Sequence, residues 1–127
     1  MAKRFQITLA QLNPTVGDLE GNYKAALGAW QQAKKIGSDL ISFTELFITG
    51  YNTQDLIKKP SFCKAAQDKI SKLAQTCAEG PAIAIGGPAC IEEKLFNAYY
   101  ILADGKIANV IMKHHLPNQN VFDEKRI

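Results

Sequence analysis

Glu45 follows an apolar run typical of a buried strand, where a carboxylate could take part in catalysis. The run covers residues 40–43, and Glu45 itself stands among Phe43, Leu46 and Phe47. Sites in α/β proteins gather at the carboxyl ends of strands. A carboxylate partly removed from water there could act as a general base near neutral pH. The pattern alone also fits an ordinary surface glutamate in a loop, which is the commoner case.

Lys113 ends a later apolar run and is a candidate to stabilise negative charge. An ammonium group there could donate to the oxyanion of a tetrahedral intermediate, although most such lysines simply enter solvent. Glu124 lies in the mixed-charge run VFDEKR, residues 121–126, and could hold Lys113 in place. Adjacent His114 and His115 would point to opposite sides of an extended chain, and no further ligand cluster accompanies them. We therefore expect no metal site.

Three cysteines occur, and we interpret all of them as structural. They are Cys63, Cys77 and Cys90, an odd number at wide spacings, which predicts neither a disulfide framework nor a zinc site. Cys77 falls on the apolar face of a predicted helix. Cys90 is the only tempting nucleophile, because it follows a predicted strand. Free thiols fit a reducing compartment.

The spacing of apolar residues predicts the elements that would position these side chains. The order is strand, helix, strand, helix, strand and hairpin, with Asp104-Gly105 as the hairpin turn. Gly86-Gly87-Pro88 is predicted to close the third strand, and residues 114–127 to form a loop. The strands are predicted at residues 5–9, 40–43, 82–85, 95–102 and 106–112, and the helices at residues 22–36 and 62–77. Alternating strands and helices predict an α/β fold, with one sheet covered by two helices.

Composition limits the classes of protein that fit. The chain has 127 residues, which suits one domain, and its 46% apolar content supports a small core. A net charge of +3, spread along the chain, gives little support to nucleic-acid binding. Neither a signal peptide nor a membrane span is visible. We expect a cytoplasmic protein with no nucleic-acid or membrane partner.

Two motifs resemble those of a known family. FTELFITGY, residues 43–51, resembles the glutamate motif of the nitrilase, or carbon–nitrogen hydrolase, superfamily. Lys113, followed by LPN at residues 116–118 and VFDEKR at 121–126, resembles its lysine motif. The LPN and VFDEKR segments, together with AQLNPTVGD at residues 10–18, look most like the glutaminase domain of NAD+ synthetases. The resemblance spans nearly the whole chain.

The resemblance implies roles for single residues. Glu45 would be the general base, Lys113 would stabilise the tetrahedral intermediate, and Glu124 would support them. Tyr51 matches a tyrosine near the substrate pocket. Gln119 stands at a substrate-binding position where such synthetases usually have tyrosine, in a Tyr-Gly pair replaced here by Gln-Asn. That departure puts one substrate contact in doubt.

The resemblance also implies a fold and partners. The fold would be an α-β-β-α sandwich, of which residues 1–127 supply about the amino-terminal half of a glutaminase domain that is incomplete at its carboxyl end. We expect this half to leave a sheet edge and an apolar face uncovered. Glutamine would be the substrate, with no cofactor in this domain. The ammonia would pass to an ATP-dependent synthetase domain, and we expect the complete enzyme to be an oligomer.

The family's nucleophilic cysteine follows the lysine motif, whereas all three cysteines here precede Lys113. We therefore expect this chain alone to be inactive. Two alternatives stay open. The substrate could be another amide, a carbamoyl compound or a nitrile, because the Tyr-Gly pair is missing. The chain could also be a non-catalytic remnant that acts through binding or assembly.

Overall fold

The computed structural model describes residues 4–50 and 59–116, the last three by their backbone alone. The predicted order of elements is confirmed in this part of the chain. The strands and helices follow one another as β1 (Ile7–Leu9), α1 (Leu19–Lys35), β2 (Leu40–Ser42), α2 (Pro60–Thr76), β3 (Ala82–Ile91), β4 (Lys94–Ala103) and β5 (Lys106–Leu116).

The described strands form one mixed sheet in the order β1-β2-β3-β4-β5. β1, β2 and β3 are parallel, because a connection that contains a helix returns the chain between them. β3, β4 and β5 are antiparallel. Both described helices pack on the same face of the sheet. The α/β prediction, with two helices covering one sheet, is therefore confirmed.

The core lies between these helices and the sheet. α1 begins at the cap residue Asp18, whose carboxylate accepts a hydrogen bond from the Gly21 N–H at 2.9 Å. Proline at the start of α2 suits the first turn, where no N–H is needed. The large fully buried side chains that fill this layer include Ile41, Ile70, Leu73, Ile83 and Ile85.

The prediction that Gly86-Gly87-Pro88 closes β3 is wrong. β3 continues to Ile91, and a tight turn at Glu92 and Glu93 then leads into β4. Proline is tolerated because β2 pairs with β3 only as far as Ala84, so that among the described strands Pro88 has a neighbour on one side only. The turn itself was missed because two glutamates at φ 51° and 64° carry no typical turn signal.

The last strand is also longer than predicted. β5 runs to Leu116, so Lys113 lies within the strand and His114 continues it instead of opening a loop. Pairing with β4 supplies the hydrogen bonds that extend it. The hairpin between β4 and β5 is confirmed: Asp104 and Gly105 both have positive φ, at 56° and 81°, as a type I′ turn requires.

The first and last strands of the described sheet carry exposed apolar side chains. Ile7 and Leu9 in β1 are 51% and 72% exposed, and Ile111 in β5 is 48% exposed. We call the sheet face opposite the helices the far face; Ser42, Tyr99 and Ile111 lie on it. Within residues 4–50 and 59–116, no helix combines the length and apolar character needed to cross a membrane.

Candidate active site

Glu45 lies in a turn that follows β2 and crosses over the far face. Its apolar neighbours Phe43, Leu46 and Phe47 are buried, whereas its own side chain keeps 31% of its exposure. Leu46 adopts a left-handed backbone conformation with φ 52°. A bulky residue takes that conformation only where its surroundings enforce it. The buried neighbours therefore fix the conformation of the turn, which places the Glu45 carboxylate at the surface of a packed apolar layer.

The backbone of this turn packs directly on Gly86 in β3. A Cβ added at Gly86 would lie 2.7 Å from the Thr44 carbonyl oxygen and 2.8 Å from the Glu45 carbonyl carbon. The Ile48 N–H donates to the Gly86 carbonyl oxygen at 3.2 Å. Only glycine allows the turn to approach the strand this closely.

Lys113 reaches Glu45 across the far face from β5, the strand beyond β4. Its Nζ lies 3.7 Å from Glu45 Oε2. Between the pairs Ala98–Met112 and Asn97–His114, β5 advances by one residue more than β4, which makes Lys113 the extra residue of a β-bulge. Bulges often aim a side chain next to an active site. Both side chains are partly exposed, so this ion pair adds little stability.

Two residues of β4 complete the arrangement, and sequence reasoning missed both. Asn97 is buried and donates from Nδ2 to Glu45 Oε2. The Tyr99 hydroxyl donates to the Phe43 carbonyl oxygen and lies 2.7 Å from Ser42 Oγ. A signal was present: Asn97 and Tyr99 are polar positions two apart in a mainly apolar strand, and so share one face.

A pocket of about 270 Å³ opens beside these groups. It is lined by Phe43, Glu45, Tyr99, Ile111 and Lys113. The arrangement places a carboxylate and an ammonium group at one apolar cleft, where the first can accept a proton and the second can stabilise an oxyanion.

The cysteines of the described chain lie elsewhere, and none is among the residues that line this pocket. Burial raises the pKa of the Cys63 thiol to about 12, with neighbouring Cys90 adding to the shift. Burial likewise raises the pKa of the Cys77 thiol to about 12, against a smaller opposite effect of Lys34. Thiols with such pKa values stay protonated and unreactive at neutral pH. Cys90 is exposed, so it does not fill the core.

Of the five predicted site residues, the structure describes two. Tyr51, Gln119 and Glu124 lie outside the described residues. Of the predicted set, the structure brings Glu45 and Lys113 together. In the described ranges, no group of three or more His, Cys, Asp or Glu side chains is arranged to hold a metal ion.

The chain matches a known protein family over nearly its whole length. A family model described as carbon-nitrogen hydrolase matches residues 6–127. The chain belongs to the carbon–nitrogen hydrolase family. This confirms the resemblance seen in the glutamate and lysine motifs.

Within the carbon–nitrogen hydrolase family, the chain is similar to glutamine-dependent NAD(+) synthetases. It is 48% identical to the one from Rhodobacter capsulatus over 127 residues, and 43% identical to the one from Thermotoga maritima over 124 residues. These alignments cover 100% and 98% of the chain, but only 23% and 22% of the two relatives. The chain thus spans under a quarter of the length of these curated relatives.

A solved structure shows the same fold. The crystal structure of a glutamine-dependent NAD(+) synthetase from Cytophaga hutchinsonii matches with a TM-score of 0.82 at 27% identity. The match covers 90% of this chain and 20% of that one. The nitrilase-like fold expected from the sequence is therefore confirmed for the described residues.

Proposed function

We propose that this chain supplies the general base and the oxyanion donor of a glutamine-hydrolysing site in an NAD+ synthetase. The observation that carries the proposal is the pairing of Glu45 with Lys113, 3.7 Å apart at a pocket on the far face. The similarity to named glutamine-dependent NAD(+) synthetases over nearly the whole chain supports glutamine as the substrate.

The chemistry would proceed by nucleophilic attack on the side-chain amide of glutamine. Glu45 takes the proton of a thiol nucleophile as its sulfur bonds to the amide carbon. The carbonyl oxygen becomes an oxyanion, to which the Lys113 ammonium donates. Collapse of this intermediate, with the proton passing from Glu45 to the nitrogen, expels ammonia and leaves a thioester. Glu45 then activates the water that cleaves the thioester to glutamate and free thiol.

The other predicted residues complete this proposal. Glu124 would support Lys113, and Tyr51 and Gln119 would contact the substrate. Residues 1–127 would form part of a glutaminase-type domain, and the ammonia would be used by an ATP-dependent synthetase domain. The cytoplasm is the proposed compartment, because free cysteines fit a reducing environment.

The test measures ammonia release from glutamine by the complete gene product. Glu45→Gln and Lys113→Met are each expected to lower kcat by about 10²–10³-fold, because each removes a group needed in the transition state. Lys64→Met and Asp68→Asn are matched controls. They remove an exposed ion pair with a 3.6 Å separation on α2 and should leave turnover unchanged.

Two results would contradict the proposal. One is wild-type turnover of glutamine by Glu45→Gln. The other is efficient hydrolysis of acetamide or a simple nitrile by a wild-type protein that leaves glutamine intact, which would point to another substrate in the same family.

A further inference from the structure

Asn97 is a buried amide in the middle of a strand whose other residues are mainly apolar. It retains 1% of its exposure and pairs with Pro88 across β3 and β4. Burying a side-chain amide is unfavourable unless hydrogen bonds replace those it made to water. Its Nδ2 donates to Glu45 Oε2, so one of these bonds goes to the proposed base.

Within the described part of the chain, the two contacts of the Glu45 carboxylate fall on the same oxygen. Asn97 donates to Oε2, and Lys113 Nζ lies 3.7 Å from that atom. Among residues 4–50 and 59–113, no hydrogen bond or ion pair engages Oε1 of Glu45. With respect to these residues, Oε1 is the oxygen that remains to exchange a proton in the pocket that Glu45 lines.

The two partners of Oε2 differ in rigidity. The Lys113 side chain is 43% exposed and ends a flexible four-carbon chain. Asn97 is fixed by its strand and by burial, and has only two side-chain torsions. Of the two, Asn97 is the one that can hold the carboxylate in a single orientation.

We propose that Asn97 is a positioning residue, which holds Glu45 through Oε2 and so assigns Oε1 as the atom that accepts and returns the proton. This inference rests on the proposed function, because it deepens the role of the same carboxylate. Asn97 itself need not touch the substrate.

The experiment compares Asn97→Ala with wild type, in the protein as its gene encodes it. We expect kcat for glutamine to fall by about 10²-fold with little change in KM, because a base displaced by about 1 Å loses its alignment with the nucleophile. A crystal structure of the variant should show the Glu45 side chain displaced from its wild-type position.

Asn22→Ala is the matched control. Asn22 is also a buried asparagine, but its hydrogen bonds within the described ranges all go to backbone: Nδ2 donates to the carbonyl oxygens of Thr15 and Ile48, and Oδ1 accepts from the Thr15 N–H. Its loss should lower stability while the protein that remains folded keeps its kcat. If Asn97→Ala fails to fold, Asn97→Leu, which keeps a similar volume but has no amide donor and adds no charge, is taken through the same measurements.

The outcomes separate this inference from the proposed function. Wild-type kcat in a folded Asn97 variant, or an undisplaced Glu45 in its crystal structure, overturns the positioning role. A wild-type protein that does not hydrolyse glutamine overturns the proposed function. In that case, the crystal structures still test the positioning role of Asn97. Displacement of Glu45 in Asn97→Ala but not in Asn22→Ala supports that role.

Discussion

Gly86 lies directly beneath Glu45: a side chain on Gly86 would begin 2.8 Å from the Glu45 carbonyl carbon. The turn that presents the carboxylate therefore rests on bare strand backbone. Asn97 and Tyr99 attach the same segment to β4, at the Glu45 carboxylate and at the Phe43 carbonyl oxygen. The position of the proposed base is thus set by two neighbouring strands beneath it.

Replacing Gly86 by alanine tests the close packing of this turn on β3. Because the added methyl group would meet backbone atoms, which cannot rotate away, Gly86→Ala is expected to destabilise the fold by about 1–3 kcal/mol. Urea denaturation measures the change. Gly28→Ala is the control: nothing lies within 4 Å of its added Cβ, and alanine in α1 should stabilise by about 0.5–1 kcal/mol. Unchanged stability in Gly86→Ala would contradict the close approach.

The neighbouring tyrosines Tyr99 and Tyr100 face opposite sides of β4 and allow a paired test. Tyr99→Phe removes the bond to Phe43 beside the site, whereas Tyr100→Phe removes a bond to the Pro88 carbonyl oxygen at 2.6 Å on the helix side. Each should cost about 1–2 kcal/mol in thermal or urea unfolding. Only Tyr99→Phe is expected to lower glutamine turnover in the folded protein. Equal losses of turnover in both variants would count against a specific role for Tyr99.

The thiols should differ sharply in reactivity. Cys90 is exposed, whereas Cys63 and Cys77 are buried with pKa values raised to about 12. An aromatic disulfide reagent at neutral pH is expected to modify Cys90 rapidly and the other two only as the protein unfolds. The Cys90→Ser variant should lose the fast phase. A fast phase that persists in Cys90→Ser would contradict this assignment.

Stability is expected to fall in alkaline solution. In the unfolded chain the thiols of Cys63 and Cys77 ionise near their ordinary pKa of 9.0, but burial delays ionisation in the folded state until about pH 12. Between these values the unfolded state binds fewer protons, so rising pH favours unfolding. The full stability is present below pH 9. Above it, the loss is at most about 1.4 kcal/mol per thiol per pH unit.

Urea denaturation at several pH values measures this slope. Cys77→Ala should reduce it, because one of the two delayed ionisations is removed. Cys90→Ser changes an exposed thiol and should leave most of the slope in place. Burial also raises the pKa of Tyr100, which acts in the same direction. A stability that stays constant up to pH 11 would show that these thiols are not buried.

Local pattern was enough to predict the order of the elements. Helical spacing revealed the buried faces of α1 and α2, because a helix that covers a sheet must repeat apolar residues every three or four positions. The turn at Asp104-Gly105 was found because positive φ there favours glycine and aspartate. The resemblance of two motifs to those of a known family identified Glu45 and Lys113 as candidate catalytic residues.

Local pattern misplaced the ends of two strands. β3 and β5 extend further than their composition indicates, since pairing with β4 supplies the hydrogen bonds that prolong them. Gly86 was predicted to end a strand. In the structure it lies within β3, where the absence of a side chain leaves room for the turn that carries Glu45. The role of Asn97 was missed because a single polar residue in a strand does not reveal what lies across the sheet.

By itself the sequence determined the elements and two candidate groups, because these depend on residues near each other along the chain. The tertiary structure alone decided that Glu45 and Lys113 meet, that a bulge in β5 provides Lys113, and that Asn97 contacts the carboxylate oxygen nearest Lys113. Those relationships depend on strand order, register and the height of one turn above the sheet. Such distances are fixed by packing between segments far apart in sequence, and no local pattern encodes them.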